Sequence, residues 1–164
     1  MRIKPFIPVL CTAALLASLH LTAHAAPGAV EVKSIAEQEV EIMEKGKKVI
    51  KRAPVEKAVP GTEIIYTTSF KNLIDKPVGN IAITNPVPND TAYKGGSAFG
   101  NNTDMSFSVD GGKTFGTPDK LKVKGKDGKE RAALPAEYTH IRWTYKGEVG
   151  VGKTGDVGFR AVIK

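Results

Sequence analysis

The fold of this chain is decided by residues 60–93, which read PGTEIIYTTSFKNLIDKPVGNIAITNPVPNDTAY. With Ile65 as the one exception, apolar and polar side chains alternate over 63–71, which is the period of a strand with one buried face. That buried face is predicted to carry Ile64, Tyr66, Thr68 and Phe70. After a turn-rich interruption, the alternation resumes at 81–83 and ends in NPVPND (85–90), since proline cannot donate to a strand ladder. The stretch therefore predicts two β-strands separated by turns.

The segment 30–45 is ambiguous between a strand and a helix. Ser34 and Glu37 have the spacing of a helix capping box, and Ile35, Ile42 and Val49 recur every seven residues. The alternation of period two is cleaner, and Gly46 would stop a helix after about three turns. We therefore expect a strand here.

A hairpin is predicted directly after this strand. With Lys45-Gly46 as a two-residue loop, Glu44 faces Lys47, Ile42 faces Val49 and Glu39 faces Arg52. This register matches opposite charges and places apolar residues together, so an acidic strand is expected to pair with a basic one.

The rest of the chain continues in short alternating segments. Further strands are expected around 105–109, 121–123, 141–145 and 157–163, with an Asp-Gly turn signal at 127–128. Ile141, Trp143 and Tyr145 should share one face of their strand. About eight strands with turn signals every eight to twelve residues predict an all-β sandwich or barrel.

The order of these motifs resembles the family called domain of unknown function 11, a conserved-repeat module of exported and envelope proteins. The resemblance rests on Pro60-Gly61-Thr62 before Tyr66, on Asn72, on Asp75-Lys76-Pro77, on Asn80-Ile81, on Pro86-Val87-Pro88 before Tyr93, and on the closing segments HIRWTY (140–145) and VGFRAV (157–162). It implies an immunoglobulin-like antiparallel β-sandwich. Asn85 stands where the resemblance implies an acidic residue, so no shared charged site is expected there.

The first 25 residues have the parts of a secretory signal peptide. Arg2 and Lys4 precede a mostly apolar run, and Ala23-His24-Ala25 is a small-x-small cleavage site. Pro8, Ser18 and His20 interrupt the run, which is short for a membrane span. We expect cleavage between Ala25 and Ala26, and export to a periplasm or the extracellular space.

The expected mature chain, residues 26–164, is one β-sandwich domain. Residues 26–58 form an N-terminal strand and hairpin extension, and 59–164 form the family-like module. Removing Arg2 and Lys4 with the leader lowers the formal net charge from +7 to +5, and Cys11 leaves with it. Without disulfides, burial and strand pairing must supply the stability.

Two basic segments are candidate docking surfaces for an anionic polymer. The first carries Lys45, Lys47, Lys48, Lys51 and Arg52, and the second runs from Lys120 to Arg131. The first also has a simpler explanation as the basic partner of the acidic strand, since lysines protect sheet edges from unwanted pairing.

Two motifs resemble functional sites but are expected to be structural. GEVGVGKT (147–154) matches the phosphate-binding P-loop pattern, yet the following residues alternate as a strand, whereas a P-loop needs a helix there. We therefore expect no nucleotide and interpret 147–155 as a hairpin connection. SVDGGKTF (108–115) resembles the Asp-box turn, in which Asp110 accepts bonds from turn amides and Phe115 packs beneath.

No catalytic or metal-binding set is apparent. His140 is the single histidine of the mature chain, no cysteine remains as a nucleophile, and no Gly-x-Ser-x-Gly elbow occurs. A calcium site at Asp104 or Asp110 lacks enough nearby oxygens. Trp143 shares its face with apolar neighbours and is expected in the core.

The sequence thus predicts an exported, non-enzymatic β-sandwich module with a structural or interaction role. The expected partner is an envelope protein or polymer, with no nucleic acid, no cofactor and no membrane span after cleavage. The alternative is a binding protein for an anionic or carbohydrate envelope ligand that uses the basic strands.

Overall fold

The computed structural model describes residues 22–24 and 28–164 and shows an all-β protein with antiparallel sheets. The strands are β1 (Thr22–His24), β2 (Val30–Glu44), β3 (Lys47–Pro54), β4 (Glu63–Asn72), β5 (Val78–Gly79), β6 (Ala82–Pro86), β7 (Thr91–Tyr93), β8 (Phe99–Gly100), β9 (Thr103–Ser108), β10 (Lys122–Lys124), β11 (Glu130–Ala132), β12 (His140–Tyr145), β13 (Glu148–Val149) and β14 (Thr154–Ile163). Two single-turn 3-10 helices lie at Pro118–Lys120 and Pro135–Glu137. Within the described ranges, no helix has the length and apolar character needed to cross a membrane.

Two main sheets build the protein. Sheet I has the order β1-β6-β12-β9, and sheet II has the order β3-β2-β4-β14-β7, with β8 also paired to β14. Side chains from both sheets meet in one apolar cluster, which is consistent with a β-sandwich. Small pairs, β10 with β11 and β5 with β13, lie outside the main sheets.

The predicted buried faces are confirmed in the central strands. In β4, Ile64, Thr68 and Phe70 are buried and Tyr66 is half-buried, whereas Ser69 and Lys71 are exposed. Ile65, the exception to the alternation, is also buried although it lies on the opposite face. In β14, the alternate residues Val157, Phe159 and Ala161 are fully buried, as the alternation requires.

Aromatic rings join the two sheets at the centre of the core. Trp143 of β12 is 1% exposed and stacks on Phe159 of β14, with ring centroids 6.4 Å apart. Phe70 of β4 meets Tyr145 of β12 edge-on at 5.8 Å. Such ring pairs add about 0.5–1.5 kcal/mol each beyond the area that they bury.

The N-terminal hairpin has the predicted register. β2 is a strand, and β3 pairs with it so that Glu44 faces Lys47, Ile42 faces Val49 and Glu39 faces Arg52. Lys45 and Gly46 both have positive φ, 49° and 77°, which is the conformation of a two-residue turn that matches strand twist.

The prediction that 147–155 is a hairpin connection is wrong. β12 belongs to sheet I and β14 to sheet II, so this segment crosses between the sheets. Buried Asn72 anchors the crossing, because its side-chain amide donates to the carbonyl oxygens of Val149 (2.9 Å) and Lys76 (2.8 Å). Side chains in β12 and β14 alternate in the same way whether the two strands form a hairpin or lie in different sheets. The local sequence pattern could therefore not distinguish a hairpin from a crossing.

The strand count and the N-terminus differ from the simple prediction of about eight strands. The described residues form seven strands of five or more residues and seven of two or three. β1 lies inside the predicted leader, where Thr22–His24 pairs with β6. The predicted cleavage pair, Ala25 and Ala26, lies outside the described residues.

Candidate functional site

Residues 38–53, called the ribbon from here on, extend beyond the body of sheet II. β2 pairs with β4 only as far as Glu37, and from there to Glu44 it pairs with β3 alone. β2 continues past the edge of β4 because it has 15 residues, and it pairs with β4 only as far as the position opposite Ile65. The ribbon is therefore a two-stranded element that continues past the edge of β4.

An ion network marks the point where the ribbon leaves the sheet. Glu39 of β2 and Glu63 of β4 approach each other, and Arg160 of β14 donates to both, at 2.7 Å and 2.6 Å. Lys94 binds the second oxygen of Glu63 at 2.5 Å. The hydrogen bond from Lys94 has the largest effect in lowering the pKa of Glu63, and the bond from Arg160 lowers it further. The bond from Arg160 also lowers the pKa of Glu39. The cations thus offset the repulsion between two neighbouring carboxylates.

The five predicted cations of the ribbon do not form one patch. Lys47 and Lys51 share one parity of β3, while Lys48 and Arg52 share the other, so they lie on opposite faces. Lys48 forms an ion pair with Glu41 (2.7 Å), and Lys51 forms one with Glu44. Within the described residues, Lys45, Lys47 and Arg52 have no carboxylate in ion-pair distance.

The ribbon also exposes apolar side chains, which were not among the candidate residues predicted from the charge pattern. Met43 is 64% exposed and Ile50 is 69% exposed, and their parities place them on the same face. Val49 and Ile42 are opposite each other on the other face and are half-buried. Apolar groups beside unpaired cations are a composition that suits a protein contact.

The second basic segment, from Lys120 to Arg131, forms a smaller hairpin. β10 and β11 pair around the predicted Asp-Gly turn, and Gly128 has a φ of 78°. Arg131 donates to both oxygens of Glu137, and this bond lowers the pKa of Glu137 to about 2. Lys122 lies 3.8 Å from Glu130. The segment is thus basic but partly neutralised by its own carboxylates.

The P-loop lookalike has strand context on both sides, as predicted. Glu148–Val149 is strand β13, a tight turn at Gly152 follows, and β14 begins at Thr154. A phosphate cradle requires the N-terminus of a helix after the glycine-rich loop. The described geometry of 147–154 is therefore that of a connection between sheets.

The Asp-box lookalike forms the predicted turn. Asp110 accepts bonds from the backbone amides of Lys113 (3.1 Å) and Thr114 (3.0 Å) and from the Thr114 hydroxyl (2.6 Å). The buried Ser108 hydroxyl donates to Asp110 at 2.7 Å. These bonds hold the pKa of Asp110 well below its usual range, and the bond from the Thr114 hydroxyl has the largest effect. The arrangement fully occupies the carboxylate within the turn.

Phe115 is the last residue of the Asp-box-like segment. Its ring is half-buried, and the guanidinium of Arg142 lies 3.7 Å from the ring centroid. Phe107 and Gly116 exchange two backbone hydrogen bonds of 2.9 Å, which closes the hairpin. Arg142 therefore contributes a cation–π contact to this structural turn.

We expect Asp110→Ala to open this turn. Loss of the carboxylate leaves the amides of Lys113 and Thr114 without their acceptor, so hydrogen exchange at these amides should accelerate and the melting temperature should fall. Because the folded pKa of Asp110 is depressed, its stabilisation is present above pH 4 and decreases as pH falls below that value.

The matched control for this change is Asp127→Ala. Asp127 accepts one bond, from the amide of Lys129, in the other glycine turn. Equal exchange rates at Lys113 and Thr114 in Asp110→Ala and in the unchanged protein would contradict the role assigned to Asp110.

The buried position of Asn85 was not predicted from the sequence. It is 3% exposed on the core side of β6, and its amide nitrogen donates to the Thr68 hydroxyl of β4 at 2.7 Å. Ser34 of β2 lies 2.6 Å from the same hydroxyl. The side-chain oxygen of Asn85 and the indole nitrogen of Trp143 have no partner among the described residues. Asn85 thus links the two sheets through a buried hydrogen bond.

The other candidate residues show no assembled site. His140 is half-buried beside Thr139, and burial lowers its pKa. Asp104 forms an ion pair with Lys146 at 2.7 Å. Across 22–24 and 28–164, no group of three or more His, Cys, Asp and Glu is placed to hold a metal ion.

Comparisons with protein families, with curated proteins and with solved structures find no significant match for this chain. Its site is therefore defined by its own geometry. The ribbon is the part of the described structure in which exposed apolar groups, unpaired cations and a free strand edge occur together.

Proposed function

We propose that this chain is an exported, non-enzymatic interaction module of the cell envelope or extracellular space. The finer fold that we propose is an immunoglobulin-like sandwich of the domain of unknown function 11 type. The observation that carries the functional proposal is the ribbon, which exposes Met43 and Ile50 on one face beyond the packed sheets. A stable domain with a projecting, partly apolar element suits partner binding better than chemistry.

Export and binding are tested on the full chain expressed in its own cells. We expect the exported product to begin at Ala26 by intact mass, and to be retained on the isolated envelope fraction. Met43→Ser/Ile50→Ser should reduce this retention at least tenfold, because the variant removes the apolar contact and leaves the sheets intact.

The matched control is Leu134→Ser/Val151→Ser, which changes two apolar residues of similar exposure, 59% and 55%, outside the ribbon. Equal retention of both variants contradicts the proposal. A product that stays inside the cell with its leader attached also contradicts it. Turnover of a hydrolase substrate by the purified protein would contradict the non-enzymatic role.

The second candidate function is binding of an anionic envelope polymer. Lys45, Lys47 and Arg52, which have no ion-pair partner in the part of the chain that the structure describes, favour it. Such binding must weaken as salt rises, because the Debye length shortens from about 10 Å at 0.1 M to about 3 Å at 1 M. Retention that does not change with salt excludes this electrostatic version and leaves the apolar one.

A further inference from the structure

The outer edge of β3 has no strand partner in the described structure. β3 is the terminal strand of sheet II, and β2 pairs with its other edge along Lys47–Pro54. An edge of this kind presents a row of backbone N–H and C=O groups, and extended peptides bind such edges as added strands. The question is which peptide chemistry this edge admits.

The side chains of β3 make the edge basic. The strand contains four cations and no acid: Lys47, Lys48, Lys51 and Arg52. Glu41 and Glu44 of β2 neutralise Lys48 and Lys51, whereas Lys47 and Arg52 have no ion-pair partner in the described residues. Pairing of β3 with β3 of a second copy would bring cations close together, which is unfavourable. The charges therefore disfavour pairing of β3 with β3 of a second copy and favour an acidic strand.

The inner edge of β3 shows what such a strand looks like. There β2 supplies EQEVEIME (37–44), with Glu44 facing Lys47 and Ile42 facing Val49. Glu41 and Glu44 of β2 form ion pairs with Lys48 and Lys51. Ile50 remains 69% exposed, so the strand retains apolar surface for a further partner.

We propose that the outer edge of β3 accepts, as an additional strand, an extended acidic segment of a partner protein that carries acids on both of its faces, as EQEVEIME does, together with apolar residues. Its acids pair with Lys47 on one face and with Arg52 on the other, and an apolar residue on the Arg52 face covers Ile50. This proposal rests on the proposed function as an interaction module and specifies the partner's chemistry.

The probe for this edge is a fluorescent, end-capped peptide of sequence EQEVEIME, added to the purified protein and followed by anisotropy. We expect saturable binding that weakens with salt, and at least a tenfold loss in Lys47→Glu/Arg52→Glu. The matched control is Lys124→Glu/Lys126→Glu in the other basic hairpin, which should bind as the unchanged protein does. Circular dichroism checks that each variant is folded.

Amide hydrogen exchange distinguishes addition at the outer edge from displacement of β2. Addition slows exchange in β3 and leaves β2 protected, whereas displacement exposes the amides of β2. The proposal is overturned by displacement, by equal binding of the basic peptide KQKVKIMK, by self-association through β3, or by binding of dextran sulfate without binding of the peptide. Envelope retention that persists when the peptide does not bind rejects this inference alone and leaves the proposed function standing.

Discussion

Gly158→Ala is expected to disrupt the central strand pair, at a cost of about 3 kcal/mol in the free energy of unfolding. A Cβ at this position would lie 2.4 Å from the backbone oxygen of Tyr66 and 2.5 Å from the ring of Phe99. The ring is at the surface and can move, but the Tyr66 oxygen belongs to β4, the neighbour of β14. Relief of the clash therefore requires the two strands to separate locally, which urea denaturation will detect as a lower midpoint.

Two companion variants make this prediction specific. Gly116→Ala, whose Cβ would have its nearest contact at 3.6 Å, should change stability by less than about 0.5 kcal/mol. Adding Phe99→Ala to Gly158→Ala should restore only part of the loss, because the backbone contact remains. Full restoration would show that the ring alone caused the clash and that the strand spacing tolerates a side chain.

Asn85→Asp is expected to destabilise the protein at neutral pH by about 2.7 kcal/mol, the equivalent of a pKa raised by about two units. The new carboxyl group would be buried between the sheets, with a hydroxyl and no cation as its partner in the described structure. Since burial raises the folded pKa above the unfolded value of about 3.9, the loss is small below pH 4 and grows as pH rises towards 6.

Urea titrations at pH 4 and pH 7 measure this difference. The control is Asn101→Asp, which changes an exposed residue in the same way and should show no comparable pH dependence. If Asn85→Asp is as stable as the unchanged protein at pH 7, the site provides a cation or water that satisfies the carboxylate. That outcome would support the acidic residue that the family resemblance implies.

Local patterns of the sequence predicted most of the strands and one complete register. The hairpin could be predicted because a single alignment of β2 with β3 satisfies both the opposite charges and the apolar pair Ile42 and Val49. The faces of β4, β12 and β14 followed from alternation, which depends only on neighbouring residues. Sheet membership depends on distant residues, so the crossing at 147–153 was missed.

The composition of the candidate site was predictable, but its ion pairs and its extent were not. The sequence showed five cations and the predicted register divides them between two faces, but which carboxylates reach Lys48 and Lys51 depends on side-chain conformation. The ribbon itself required knowledge of where β4 stops pairing with β2. Likewise, Asn85 looked like a turn residue beside two prolines, because nothing local indicates its partner Thr68 on the other sheet.

The position of Trp143 gives the protein a built-in optical probe. It is the single tryptophan of the chain, it is 1% exposed, and it stacks on the ring of Phe159 from the opposite sheet. Its emission therefore reports whether the two sheets are still joined, and it shifts to longer wavelength when water reaches the indole. A ligand bound at the distant ribbon would leave that emission unchanged, so fluorescence separates binding from unfolding in one cuvette without any added label.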